Sequence, residues 1–498
     1  MSDFDFFGTE DQIESESSTP ELELSFEFDH ENLLTDGEDK NVKLCVSVRP
    51  SDELRRGFEQ NGESQGAHLC LLIDTSDSMS IVVDNTNAVR TGETVIGEDG
   101  KTYNIVTGGI SKLQIAVESA KKIVDLLREG DTLSCIKYSD HAQVIFNNLK
   151  DSDREQIITY LDSVMGKCGM NTNITDALLM ADKVLSGYHD ALPKRVLFFT
   201  DGEPTGNDTE EKGIAAGKFL ASHNVAIESM GFGNKDVNFP YLQKISSASG
   251  GITTLINYPD EFASVFTSLF TQAQSIIVTN VKLILRLVQG TKVYDYYRGT
   301  PDNVYLGNRN GSDERLFEIN LGQIEKNQMY KYYFNIVLPG ADDYEGLANT
   351  MSAELHYYVP GKHNDQEQII KVNVPVNYTS DEDEAALING SVNVLFRLAE
   401  VKRFDEEREK AFNAGNVEDT IKWIRKSITV YTELQKPIEA QAYTEMLDQY
   451  IKTHSISKVV LNKATSSSSQ AQETGILEDL DDEELSQFAN RLKRRRKH

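Results

Sequence analysis

The sequence is poor in cysteine, in basic residues and in long apolar runs, and each shortage excludes something. Its four cysteines (Cys45, Cys70, Cys135 and Cys168) are scattered, with no C-x-x-C pair. Three fall in strand-like or buried-looking runs, so they read as reduced core residues of a reducing compartment, and a cytoplasmic protein is expected. Lys and Arg number 50 against 79 Asp and Glu, a formal net charge of −29. That balance favours solubility and argues against DNA or an anionic membrane as the main partner. No apolar run approaches the length of a membrane span. The N-terminal "MSDFDFFGTEDQ" has neither a basic n-region nor an apolar h-region, so a secretory leader is not expected. Common catalytic signatures are missing too. The nine histidines form no H-E-x-x-H, and there is no Walker-type glycine loop.

What is present reads as several domains, which 498 residues can support, each with its own core. Residues 1–20 read as an acidic disordered tail; the first forty residues hold fourteen acids and one lysine. Within 21–50, "ELELSFEFD" alternates apolar and polar residues, and "VKLCVSV" is a second strand. From 66 to 277 strands alternate with helices. "HLCLLID" is a continuous apolar strand, as expected in a parallel sheet covered on both faces. "DTLSCIKYS", "AQVIFNN", "RVLFFTD", "VAIESMGFG" and "GITTLI" are further strands, with helices expected near 111–128, 152–164, 174–186, 209–222, 238–248 and 261–276. This is the pattern of a Rossmann-like, doubly wound α/β domain. From 278 to 380 only strands are visible, at the spacing of a β-sandwich. The strands at 21–50 are expected to complete that sandwich, with the α/β domain inserted into it or flanked by it. Residues 383–456 are helical, broken at "NAGN" and at Pro437; one stretch resembles a single tetratricopeptide-like hairpin, without a repeat. Residues 457–475, with the serine run "TSSSS", read as a linker. Residues 476–498 read as an amphipathic helix and the basic end "KRRRKH".

One stretch carries the chemistry. "LLIDTSDSMS" (71–80) ends an apolar strand on a dense set of oxygens. In a doubly wound sheet, ligands sit beyond the C-terminal strand ends where the strand order reverses. Asp74, Ser76 and Ser78 lie at such an end. Two further strand-end loops offer Thr172, in "GMNTNITDAL", and Asp201, in "LFFTDGEPTG". Two carboxylates and three hydroxyls form a hard, all-oxygen set of low charge, suited to a six-coordinate magnesium-like ion. A hydrogen-bonded strand-end network without metal is the alternative.

These residues match, in order, the D-x-S-x-S, T and D of a metal-ion-dependent adhesion site, and residues 68–276 resemble the von Willebrand factor type A (VWA) domain. The layout around that domain resembles bacterial VWA proteins described as calcium-activated chloride-channel homologues. The resemblance implies that Ser76, Ser78 and Thr172 hold Mg²⁺ (or Mn²⁺ or Ca²⁺) directly or nearly so, with Asp74 and Asp201 often acting through water. It implies one open coordination position for an Asp or Glu of a protein partner. It implies a metal-dependent interaction module and scaffold, not an enzyme. Two departures stand out: Asp77 where the family has glycine, and Met170 and Asn171 where it often has two. Asp77 either competes for the ion or points into solvent.

Two other functions stay in view. A magnesium-dependent phosphoester hydrolase needs a nucleophile or base beside the ion, and Asp77 is the surplus acid. A plain structural scaffold would leave the site vestigial. The insertion at 81–110 contains a hairpin pattern, "ETVIGEDGKTYNIV", and is either a specificity loop beside the site or a tolerated surface insertion. His141 and the glycine of "FGNKDVN" read as turn residues. The basic end is either an address, an anionic contact or a solvated tail.

Overall fold

The strand His68–Asp74 is buried at all seven positions, and its side chains feed two separate cores. Leu69, Leu71 and Ile73 pack on one face of the sheet with the helices Lys112–Val124, Arg154–Val164 and Phe262–Gln274. Cys70 and Leu72 pack on the other with Ile174–Leu185, Glu210–Ser222 and Phe239–Ala248. A strand covered on both faces has no polar side to show, which is why it reads as an unbroken apolar run. The computed structural model describes residues 20–60, 66–84, 89–96, 102–166, 169–233, 237–312, 314–342 and 344–470. The acidic tail, the C-terminal amphipathic helix and basic end, the "GEDGK" turn of the 81–110 insertion and Cys168 lie outside them.

The α/β sheet has six strands, in the order Ala142–Leu149, Thr132–Tyr138, His68–Asp74, Lys194–Thr200, Val225–Phe232 and Thr253–Ile256. All neighbours are parallel except the antiparallel edge strand Ala142–Leu149. The connection reverses direction between His68–Asp74 and Lys194–Thr200, the switch point at which such sheets bind ligands. This unit spans Glu63–Thr279 with Val359–Asp365. Its 81–110 insertion contains the antiparallel pair Val89–Ile96 and Thr102–Thr107.

The second unit is assembled from Met1–Gly62, Asn280–Tyr358 and Gln366–His498. Its first sheet runs Leu22–Phe28, Lys40–Pro50, Tyr330–Leu338, Lys292–Thr300, Val304–Asn308; its second runs Leu316–Glu325, Ile276–Leu287, Gly346–Tyr358, Gln368–Thr379, Asn32–Leu34. The early strands therefore pair with strands nearly three hundred residues later: Val46 lies opposite Tyr332 and Leu44 opposite Phe334. Phe317 of the second sheet meets Tyr296 and Phe334 of the first edge-to-face, at centroid distances of 5.0 and 5.8 Å. The helix Asp52–Gln60 has no counterpart in the reading above. Its signal was present in "SDEL": Ser51 Oγ accepts the Leu54 N–H at 3.2 Å, an N-terminal cap.

Helices Gly390–Asn413, Val417–Glu433 and Pro437–Thr453 break where "NAGN" and Pro437 place the breaks. The linker expected over 457–475 needs correction, because Lys458–Ser469 is a helix with Asn462, Ala464, Thr465, Ser468 and Ser469 buried. Tertiary contacts override composition here. The ammonium of Lys402, itself buried, donates to Ser468 Oγ at 3.0 Å and Ser469 Oγ at 2.8 Å. Asp405 accepts from Ser468 Oγ at 3.2 Å and from the Tyr443 hydroxyl at 2.7 Å. Short hydroxyl side chains let the helix approach closely while pairing these charges. Removing one partner of a buried pair leaves the other uncompensated, at about 3–5 kcal/mol. Asp405→Ala is therefore expected to lower stability by about that much in urea unfolding, with amide exchange across 458–469 faster than in the native chain.

Candidate functional site

At the switch point the side chains form a chain of hydrogen bonds that crosses between the two central strands. Asp74, fully buried, accepts the Ser76 N–H through Oδ1 at 2.9 Å and the Thr200 hydroxyl through Oδ2 at 2.8 Å. Its carboxylate thus joins the end of its own strand to the end of Lys194–Thr200. Beyond it the backbone closes a single helical turn, Asp77–Ser80, in which the Met79 N–H donates to the Ser76 carbonyl at 2.9 Å. Met79 is buried in the sheet's core and anchors that turn. The turn brings Ser76 Oγ and Ser78 Oγ to 3.1 Å, and Ser78 Oγ donates to Asp201 Oδ1 at 2.8 Å. Four of the five expected residues are therefore linked directly.

Thr172 joins them through its loop. Its N–H donates to Thr205 Oγ1 at 2.8 Å and its carbonyl accepts the Thr205 N–H at 3.1 Å, which holds it against the segment that follows Asp201. The same loop reaches the first one: the Gly169 N–H donates to the Thr75 carbonyl at 3.0 Å. A side chain at Gly169 would put its Cβ 2.2 Å from Ser139 Oγ, so this approach requires glycine. Of the two departures, Asn171 is structural, since its amide donates to Asp140 Oδ1 and holds that carboxyl below the usual range. Met170 is exposed. Asp77 is exposed as well, unlike the buried Asp74, Ser76, Thr172 and Asp201.

Two participants escaped the sequence reading. Thr200 was visible only as the residue before Asp201. Lys112 looked like an ordinary lysine at a helix start, yet it is 3% exposed and its Nζ donates to Asp201 Oδ2 at 2.6 Å. Nothing local to "GISKLQ" signals that burial.

The electrostatics are those of an under-neutralised pocket. Burial, reinforced by the charge of Asp201, pushes the Asp74 carboxyl up to about 7. Two carboxylates and three hydroxyls, with no sulfur or imidazole, fit a small hard cation, and a divalent ion would relieve the penalty on Asp74. Among the described residues no group of three or more His, Cys, Asp or Glu is placed to hold a metal ion, at this cluster or elsewhere, so the set relies on its hydroxyls.

An open α/β sheet with a polar cluster at its switch point defines a ligand-binding class of fold. Within that class, residues 68–272 match the family model of the von Willebrand factor type A domain, and this part of the chain is a VWA domain. The uncharacterized protein sll0103 of Synechocystis sp. is 22% identical over 312 residues, covering 60% of this chain and 63% of that protein. Inter-alpha-trypsin inhibitor heavy chain H2 of Sus scrofa is 25% identical over 181 residues, 34% of this chain and 19% of that one. The chain thus spans less than two thirds of either curated relative. Among solved structures, the fold is similar to a von Willebrand factor type A protein from Catenulispora acidiphila, with a TM-score of 0.69, 16% identity and coverage of 92% of this chain and 99% of the other. It is also similar to the ArnB paralog VWA2 from Sulfolobus acidocaldarius, with a TM-score of 0.52, 15% identity and coverage of 90% and 98%.

The raised Asp74 pKa gives a pH signature. The unfolded carboxyl titrates near 4, so the folded protein holds the extra proton between about 4 and 7. Stability contributed by that proton is present at low pH and is lost as pH rises through 7. In EDTA, Asp74→Asn is expected to gain stability relative to the native chain between pH ~5 and ~8, as read by urea unfolding at both pH values. A native chain that gains on Asp74→Asn over that range would contradict the assignment.

Proposed function

We propose that the VWA domain binds one divalent hard cation, Mg²⁺ or Mn²⁺ with Ca²⁺ as a looser fit, at Asp74, Ser76, Ser78, Thr172 and Asp201. Through that ion it binds an exposed Asp or Glu of a protein partner. The observation that carries the reading is the convergence of two buried carboxylates and paired hydroxyls at the sheet's switch point. VWA domains commonly mediate protein–protein interaction, which supports the same direction. A bound ion would supply a positive centre with a position left for an incoming carboxylate. In the chain's own residues, Asp74 and Asp201 provide the charge, Ser76 and Ser78 the neutral donors on one loop, and Thr172 the donor on the other. Neutral hydroxyls leave such an ion short of negative charge, so a partner's acid is attracted.

The rest of the chain serves as scaffold in this reading. No helix among the described residues is long and apolar enough to cross a membrane. Cys45, Cys70 and Cys135 are buried, and the described residues contain no disulfide, which supports a reducing, cytoplasmic setting in this reading. The hydrolase reading is less favoured in this proposal, since Asp77 is exposed while Asp74, Ser76, Thr172 and Asp201 are buried.

Calorimetry with Mg²⁺ and Mn²⁺ tests the ion, and affinity capture with and without EDTA tests the partner. One ion per chain is expected. Asp201→Ala and Asp74→Ala are expected to lose both the ion and the EDTA-sensitive partner while the circular dichroism spectrum is retained. Thr172→Ala is expected to weaken the partner more than the ion. Absence of divalent binding to the native chain at millimolar concentration would overturn the reading.

A further inference from the structure

Asp201 is held from two sides. Ser78 Oγ occupies Oδ1 at 2.8 Å, on the side of the serine pair, and Lys112 Nζ occupies Oδ2 at 2.6 Å. The lysine is the first residue of the helix Lys112–Val124 and is built into place. Its own N–H donates to the Ile81 carbonyl at 3.1 Å, one residue past the turn that carries Ser78. The helix start is locked by a reciprocal cap, in which Gln114 N–H donates to Ser111 Oγ at 3.2 Å and Ser111 N–H donates to Gln114 Oε1 at 2.8 Å. Both charged side chains are out of water, Lys112 at 4% and Asp201 at 0% side-chain exposure. A buried charge at contact distance from a ligand carboxylate alters the balance of the whole site, because little solvent screens it.

The sum of charges shows how. With both carboxylates ionised, Asp74 and Asp201 contribute −2 and Lys112 contributes +1, leaving −1 among these three groups before any ion arrives. A divalent ion then brings the cluster to +1; without the lysine the same ion would bring it to zero. The lysine therefore opposes the ion and favours a following carboxylate.

We propose that Lys112 is a built-in counter-cation that makes the ion and the partner's acid mutually dependent ligands. The ion alone binds weakly, and it binds well once a carboxylate supplies the missing negative charge. Coupling of this kind is reciprocal, so the acid's affinity rises by the same factor when the ion is present. This inference rests on the cluster being a divalent-ion site, and it adds the regulation of that site.

The test uses the full chain, Mn²⁺ as the ion and sodium acetate as the carboxylate probe, with sodium chloride at equal ionic strength as the control. For the native chain, Mn²⁺ affinity by calorimetry is expected to rise in acetate over chloride. Lys112→Gln keeps a neutral donor for Asp201 but removes the charge. Its Mn²⁺ affinity in chloride is expected to be about tenfold tighter, a change of about 1.4 kcal/mol, with a smaller acetate effect. Lys112→Arg keeps the charge and is expected to match the native chain. A merely structural lysine would not produce tighter ion binding on its removal. No acetate effect on the native chain overturns the inference, as does a folded Lys112→Gln whose Mn²⁺ affinity equals or falls below the native value. If Lys112→Gln does not fold, a folded Lys112→Arg that loses the acetate effect overturns it instead. A native chain that binds no Mn²⁺ at all refutes the ion site itself, which is a separate and recognisable failure.

Discussion

Everything at the site follows from a charge placed at the end of a strand that is buried on both faces. His68–Asp74 runs through the middle of the α/β sheet with no exposed position, so Asp74 reaches the switch point already stripped of water. A carboxylate there must be satisfied by the protein. It is satisfied locally by the Ser76 N–H and across the sheet by Thr200, and the second bond fixes the neighbouring strand end from which Asp201 projects. The same demand for partners that organises the loops would make the cluster attractive to a cation, as the proposed function holds.

The remaining negative charge is managed in two ways. The lysine at position 112 neutralises Asp201 from the helix side. Among the described residues Asp74 has no such cation at contact distance, and burial with the nearby Asp201 charge pushes its carboxyl upward. A divalent ion between the two would relieve Asp74 and leave one positive charge over. The hydroxyls add donors without adding charge, so in the proposed function ion affinity would rest on the carboxylates and attraction for an acid on the charge they leave uncompensated.

In the second unit the organising constraint is continuity of hydrogen bonding rather than charge. Lys40–Pro50 would be an open edge without Tyr330–Leu338 beside it, so residues far apart in the chain must come together before that sheet is complete. The helix Lys458–Ser469 follows similar logic at smaller scale. A serine run that composition assigns to a linker becomes a packed helix because Lys402 and Asp405 are buried and require hydroxyl partners.

Much of this was legible without coordinates. The doubly buried strands are plain in "HLCLLID" and "RVLFFTD", because parallel strands covered on both faces leave apolar runs that little else produces. Asp74, Ser76, Ser78, Thr172 and Asp201 could be named because each falls directly after such a strand or opens a loop between recognisable elements. The capped helix at Asp52 was legible and missed. What the residues alone determined is therefore the element pattern, the switch-point loops and the oxygen donors they carry. Only the tertiary structure decided that Lys112 is buried against Asp201, that Thr200 bridges to Asp74, that Asp77 faces solvent and that the serine run is helical. Those outcomes depend on which side chains lose water together, and that is settled by contacts between residues 89, 126 or 63 positions apart, a separation at which no local pattern in the chain carries a trace.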